Sequence, residues 1–276
     1  MASTPAVEVH NLHYGFTGAQ TPALEGCDLV LEPGARCLLI GANGAGKSTL
    51  LRLLAGKRLC EANILVFGQD VFHAPPRGIT YLGTEWAMNP VVRSDITVSD
   101  FLNSVGGFRF SERRDHLLDL LDVDLSWRMH MISDGERRRV QLCMGLMEPW
   151  KLLLLDEVTV DLDVQVRCDL LDFLREESEK RGATIVCAYT ITHIIQMPLI
   201  FLMEFTTSLL VWYTCNWVAL LHPCLCLGPY VSTVLHPHGP LRVFPSHSEM
   251  TLHQVRYLWS SSPYSLLHLP GCVKIV

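Results

Sequence analysis

Nine consecutive residues, Gly41-Ala42-Asn43-Gly44-Ala45-Gly46-Lys47-Ser48-Thr49, have the types and spacing to cradle a chain of phosphates. The three glycines let the backbone turn where a Cβ would clash, so successive amides, those of Asn43 and Ala45 among them, can point inward at anionic oxygens. Lys47 adds a point charge for the β and γ phosphates, and Ser48 offers its hydroxyl to Mg²⁺. A second group lies far downstream, where Asp156-Glu157 follows the apolar run Lys151-Leu152-Leu153-Leu154-Leu155. A carboxylate at the end of a central strand is placed to hold Mg²⁺, directly or through water. The carboxylate after it is placed to orient and deprotonate the water that attacks a γ-phosphate, a reaction whose rate comes mostly from positioning and charge stabilisation. Asp156 and Ser48 are therefore the expected metal ligands and Glu157 the expected general base.

Both groups need the same kind of support, a strand that ends at the chemistry. Cys37-Leu38-Leu39-Ile40 precedes the glycine loop, and Ser48 to Ala55 reads as a helix whose N-terminus favours anions. Lys151 to Leu155 and Thr184 to Ala188 read as buried parallel strands, with an amphipathic helix from Leu170 to Arg181 between them. Val7 to Leu12 and Cys27 to Leu31 read as strands of a β-rich flap, closed by the turn Glu32-Pro33-Gly34. Shorter strand-like runs at Ile64 to Phe67 and Gly78 to Leu82 are separated by the breaker Ala74-Pro75-Pro76-Arg77-Gly78. From about Val98 to Met147 the spacing of apolar residues predicts a mainly helical insert.

A length of 276 residues suffices for a large buried core without disulfides or metals. The ten cysteines form no C-x-x-C pair and read as reduced core residues of a cytoplasmic protein. Met1 to Val9 has neither the basic nor the apolar region of a secretory signal peptide. A net charge of −6 leaves no basic footprint for nucleic acid, and the run Arg137-Arg138-Arg139 reads as a solvated helix face.

Between the two chemical groups lies Ile132-Ser133-Asp134-Gly135-Glu136, a polar turn that opens a helix. Taken with the glycine loop and Asp156-Glu157-Val158-Thr159-Val160-Asp161-Leu162-Asp163, it resembles the ATP-binding cassette ATPases, whose signature is a Ser-Gly-Gly-Gln run at this place. The departures are similar to the soluble eukaryotic cassette ATPases that lack a fused membrane domain, the plant non-intrinsic subfamily included. The resemblance covers roughly residues 5 to 190. It implies an α/β fold, a P-loop NTPase core of the RecA-like kind with an antiparallel β flap and a helical signature subdomain at about 86–147. It also implies a Mg²⁺-dependent ATPase that closes head to tail around two ATP molecules, as a homodimer or a heterodimer with related ATPases. Each ATP would be held by the glycine loop of one subunit and by Ser133, Gly135 and Glu136 of the other. Phe16 would stack on adenine, with Tyr14 as the other candidate, although both also suit the packing of the flap. Asp163 would belong to the loop that links the two sites, and His193 would be the switch histidine at the γ-phosphate.

Two positions depart from the pattern in ways that bear on function. The family's metal-sensing Gln should follow the strand ending at Leu82, where this chain reads Gly83-Thr84-Glu85-Trp86. Glu85 is either a metal neighbour or, more ordinarily, a solvated loop carboxylate. Tyr189-Thr190-Ile191 reads as an insertion that displaces His193.

Residues 197–276 carry five charged side chains, far below the roughly 25% of an ordinary soluble domain. No sheet-completing strand or terminal helix is recognisable there. Leu199 to Leu221 has the length of a membrane span, though Glu204 and Asn216 make it a poor one. An alternative transcript, retained intron or frameshift is the favoured origin of this tail, with a membrane anchor as the rival. The His222-Pro223-Cys224-Leu225-Cys226 and His236-Pro237-His238 runs match no common zinc spacing. Three functions stay open: a free-standing ATPase, the nucleotide-binding subunit of a transporter with separate membrane subunits and peripheral membrane association, and a non-catalytic ATP-binding regulator.

Overall fold

The flap is built by strands whose alternate side chains face inward. A computed structural model describes residues 4–190, 208–213 and 216–221. In it, β1 (Val7–Tyr14) pairs antiparallel with β2 (Leu24–Leu31) on one side and with a later strand on the other. Buried Val7, Val9 and Leu12 face buried Leu24, Cys27, Leu29 and Leu31. β3 (Arg36–Gly41) then runs into the glycine loop and α1 (Lys47–Leu54). β4 (Ile64–Val66) and β5 (Gln69–Asp70) return to the flap and complete a four-stranded sheet of order β2-β1-β4-β5.

The insert is helical, as its periodicity predicts, but in pieces. After β6 (Ile79–Leu82) come two 3₁₀ turns, Thr84–Met88 and Pro90–Arg93, then α2 (Val98–Ser104), a further 3₁₀ turn at Gly107–Phe110, and α3 (Ser111–Leu120). Turns fill residues 121–133 before α4 (Asp134–Met147). β7 (Leu152–Asp156) follows, then α5 (Val164–Arg181) and β8 (Thr184–Thr190). α5 starts six residues before the helix read from periodicity, because the Asp163 carboxylate accepts the Val166 amide and caps it there. It stops at Gly182, whose φ of 65° is the left-handed conformation that ends helices.

All five residues of β7 are buried, and the strand's two-residue period splits its leucines between two cores. Leu152 and Leu154 pack with the flap and α1, while Leu153 and Leu155 pack with α4, α5 and the helical insert. Such two-sided burial is why the run is continuously apolar.

Two described segments of the tail form strands that its sequence does not announce. β9 (Ser208–Tyr213) pairs parallel with β3, and β10 (Asn216–Leu221) pairs antiparallel with β9, giving a central sheet of order β10-β9-β3-β8-β7-β6. The stretch read as bilayer-length is thus occupied in part by two strands. Hydropathy alone cannot separate these cases, since a buried strand and a membrane span are equally uncharged. Among the described residues no helix is long and apolar enough to cross a membrane. Tyr189 and Thr190, read as part of an insertion, continue β8 in register with Ile40 and Gly41.

One ion pair ties the helical insert to the core. Arg113 of α3 grips Glu177 of α5 with two bonds, 2.8 and 2.6 Å long. Burial pushes the Glu177 carboxyl up, but Arg113 and Arg181 outweigh it and hold the group below its usual range. Arg113→Ala should lower the unfolding free energy by about 1–3 kcal/mol, measured by urea denaturation, because it leaves a nearly buried carboxylate with Arg181 as its remaining guanidinium partner. A depressed carboxyl stabilises above its unfolded pKa and loses that contribution as pH falls through the folded value. The gap between parent and Arg113→Ala should therefore close in acid.

Candidate functional site

The parallel strands β3 and β7 both end at the same edge of the sheet, and the chemistry collects there. Gly44 and Gly46 take φ of 78° and 97°, which side chains other than glycine's rarely adopt, and turn the loop into α1. Lys47 opens that helix and is 5% exposed. Its Nζ donates to the carbonyls of Gly41 and Ala42, each at 2.9 Å, and lies 4.0 Å from Glu157 Oε1. Burial pulls the Lys47 ammonium below its usual pKa, and the Glu157 and Asp156 carboxylates oppose that pull. Thr49 and Ala45 are buried behind the loop, while Asn43 and Gly44 are exposed on it.

Asp156, 3% exposed at the end of β7, accepts the Ser48 hydroxyl on Oδ1 at 2.8 Å. Carboxylate and hydroxyl oxygens side by side are a hard donor set of the kind Mg²⁺ takes, with phosphate and water completing its shell. Glu157, three-quarters buried in its side chain, has φ of 57°, uncommon for a residue other than glycine. Its amide donates to Ala188 O of β8, which over-determines this backbone and aims the carboxylate toward Lys47. The four residues Lys47, Ser48, Asp156 and Glu157, read from separate motifs, are thus one cluster.

Sequence reasoning overlooked Tyr81. Its hydroxyl donates to Asp156 Oδ2 at 3.0 Å and accepts from Arg52 Nε at 3.3 Å, and burial pushes its pKa up to about 12. A tyrosine inside a strand-like run carries no signal that separates this role from packing. Glu85 is a solvent-exposed carboxylate that pairs with Arg52 at 2.5 Å, and Arg52 stands between it and Tyr81. Phe16 is 40% exposed, packs edge-on against Tyr14 with centroids 5.4 Å apart, and carries the Arg58 guanidinium 4.8 Å above its ring. His193 lies outside the described residues.

The signature turn is a capping box. Ser133 Oγ accepts the Glu136 amide at 3.2 Å, and Glu136 Oε2 accepts both the Ser133 amide and hydroxyl at 2.7 Å. These bonds hold the Glu136 carboxyl below its usual range. Gly135 backs onto the loop that contains Asp163, since a Cβ on it would stand 3.3 Å from Asp161 O. Ser133, Asp134, Asp161 and Asp163 are all exposed on this face.

The three arginines of α4 correct the reading of a solvated face. Arg137 and Arg138 are 4% and 6% exposed. Arg137 donates to Met129 O at 3.1 Å and Ile132 O at 2.8 Å, which fixes the entry to the signature turn. Arg138 lies 3.8 Å from Asp161 and reaches Gly83 O at 3.4 Å, and Arg139 pairs with Asp163 at 2.6 Å. Carbonyls of loops on either side of the helix, invisible in a local charge pattern, take these side chains out of solvent. Arg167 of α5 binds the other side of the second loop, through Thr159 O, Val160 O and Leu162 O.

A parallel sheet whose glycine loop feeds a helix, with the helix's Lys and Ser meeting a strand-end carboxylate, defines a P-loop nucleotide-binding protein. The family model described as ABC transporter matches residues 24–160. The chain is 46% identical over 211 residues to CCR4-associated factor 16 of Saccharomyces cerevisiae, covering 70% of this chain and 72% of that protein. It is 44% identical over 209 residues to ABC transporter I family member 20 of Arabidopsis thaliana, covering 68% of this chain and 62% of that one. Among solved structures, an ATP-binding subunit of an ABC transporter shares the fold at a TM-score of 0.66 with 24% identity, over 79% of this chain and 90% of that one. The chain belongs to the ATP-binding cassette family of the ABC transporters.

Because Ser133 caps α4, Ser133→Ala should cost about 1 kcal/mol in urea denaturation, and Ser133→Thr, which keeps the hydroxyl, clearly less.

Proposed function

We propose that the chain is a Mg²⁺-dependent ATPase whose two copies, or one copy and a related cassette, close around ATP. The observation that carries this reading is the convergence of Lys47, Ser48, Asp156 and Glu157 at one sheet edge. The amides from Asn43 to Ser48, at the N-terminus of α1, would bind the phosphates, and Lys47 would exchange its two carbonyl bonds for phosphate oxygens. Ser48 and Asp156 would hold Mg²⁺, whose charge offsets that on the transferring phosphoryl group. Glu157, with its backbone pinned to β8, would orient the attacking water and take its proton. Phe16 supplies an exposed ring for the base, and Arg58 over that ring would share the contact or give way. His193 is retained as the proposed γ-phosphate contact.

Head-to-tail closure is supported by the exposed face where Ser133, Gly135 and Asp163 lie together. For Ser133 to donate to a phosphate of the facing subunit, its hydroxyl must leave Glu136. The acidic Asp134 and Glu136 oppose a phosphate's approach, so closure should be weaker than with an uncharged turn.

A second reading, a subunit that energises separate membrane partners, draws support from relatives named as ABC transporter members. It predicts co-purification with a polytopic membrane protein. Cytoplasmic residence is part of both readings, and the described cysteines, mostly buried and forming no disulfide, are consistent with it.

Glu157→Gln should hydrolyse ATP at least about 100-fold more slowly than the parent in a phosphate-release assay, while eluting as an ATP-bound dimer in size-exclusion chromatography. Equal turnover in parent and variant would remove Glu157 as the base. Tight ATP binding without turnover in the parent would favour a non-catalytic regulator.

A further inference from the structure

We propose that Tyr81 is a positioning residue for Asp156, fixing the carboxylate from the side opposite Ser48, and that Gly83 is glycine because the phenol must lie over it. The proposal rests on the Mg²⁺-ATP reading above and names a residue that reading does not use.

Asp156 receives two side-chain hydrogen bonds, from Ser48 on Oδ1 and from Tyr81 on Oδ2. Ser48 is itself an expected metal ligand. The phenol is therefore the one of these two donors that remains committed to the carboxylate when Ser48 serves the metal. A group that orients a metal-ligating carboxylate restricts its rotation and keeps the free oxygen aimed at the ion.

The surroundings hold the phenol for that task. Arg52 donates to the Tyr81 oxygen at 3.3 Å, which leaves the Tyr81 proton directed at Asp156. The Lys57 ammonium sits 5.1 Å from the ring centroid on its face. Beneath the ring end, a Cβ built on Gly83 would stand 2.6 Å from the Tyr81 hydroxyl and 2.9 Å from two ring carbons. Gly83 has φ of −122°, which any residue adopts, so its backbone does not require glycine. Space for the phenol does.

The same loop is anchored to the helical insert. Gly83 O accepts from Gln141 Nε2 of α4 at 2.8 Å, and Trp86 packs edge-on against Phe101 of α2 with centroids 5.8 Å apart. Tyr81 thus stands between Asp156 and a loop fastened to the signature helix. Glu85 contributes least to this arrangement, because its side chain is 70% exposed and ion pairs at such positions are weak.

Calorimetry of ATP binding to the full chain, in EDTA and across a series of Mg²⁺ concentrations, tests the proposal. Tyr81→Phe keeps the ring and removes only the hydroxyl. The Mg²⁺ concentration at half-effect should rise about tenfold, the lower end of the range for losing a ligand's supporting partner, while affinity in EDTA stays within about twofold. Gly83→Ala, which pushes the phenol away by contact while leaving its hydroxyl in the chain, should shift the Mg²⁺ dependence in the same direction. Glu85→Ala should shift it by less than about twofold.

An unchanged Mg²⁺ dependence in Tyr81→Phe overturns the proposal. Equal loss of affinity with and without Mg²⁺ also overturns it, since that is the mark of a residue holding up the pocket as a whole. A shift in Glu85→Ala as large as that in Tyr81→Phe assigns control to the loop carboxylate and overturns it as well. Absence of ATP binding in the folded parent overturns the nucleotide reading itself, which the parent titration separates from the other outcomes.

Discussion

The arrangement of the whole sheet edge follows from keeping an ammonium group buried. Lys47 is almost entirely shielded from water, and removing a charge from water costs several kcal/mol unless partners replace the lost hydration. Gly41 O and Ala42 O supply two acceptors, and Glu157 and Asp156 supply the compensating charge. Those partners come from two strands more than a hundred residues apart in sequence. β3 and β7 must therefore end together, with β8 hydrogen-bonded between them to set the register. The fold is, in this sense, the means of bringing one lysine and two carboxylates to the same point.

Around that point the chain spends its arginines on loop carbonyls and loop carboxylates. Arg137 fixes the approach to the signature turn, Arg138 and Arg139 reach the Asp161–Asp163 loop, and Arg167 holds that loop from α5. A guanidinium's fork of donors suits this use better than a lysine's single centre. The result is that the signature turn and the Asp161–Asp163 loop, which would face a second subunit under the proposed closure, are fixed relative to each other. Pre-ordering of this kind reduces the entropy that association must overcome.

How much of this could be read from sequence depended on the range of the interactions. The glycine loop, the Asp156-Glu157 run and the flap strands leave a signal in residue types within a few positions, and the structure places the loop after β3, the pair at the end of β7 and the flap strands in one sheet. The start of α5 was hidden because an Asp cap leaves no periodic trace before the first turn. Arg137 to Arg139 read as solvated because the carbonyls and carboxylates that receive them come mostly from other segments. Tyr81 was overlooked for the same reason, its partners Arg52 and Asp156 lying 29 and 75 residues away. β9 and β10 were missed because a nearly uncharged stretch of bilayer length does not show that part of it forms two separate strands.

The central claim is that the buried Lys47 ammonium and its ring of backbone groups form the seat of a triphosphate. Calorimetric titration of Mg²⁺-ATP into the parent and into Lys47→Met tests it most directly, because methionine keeps the stem and deletes only the charge. The account predicts clear heat of binding for the parent and an affinity at least about 100-fold weaker for Lys47→Met, matching the loss of a charge-assisted contact of about 3 kcal/mol. Equal affinity in two well-folded proteins would contradict it.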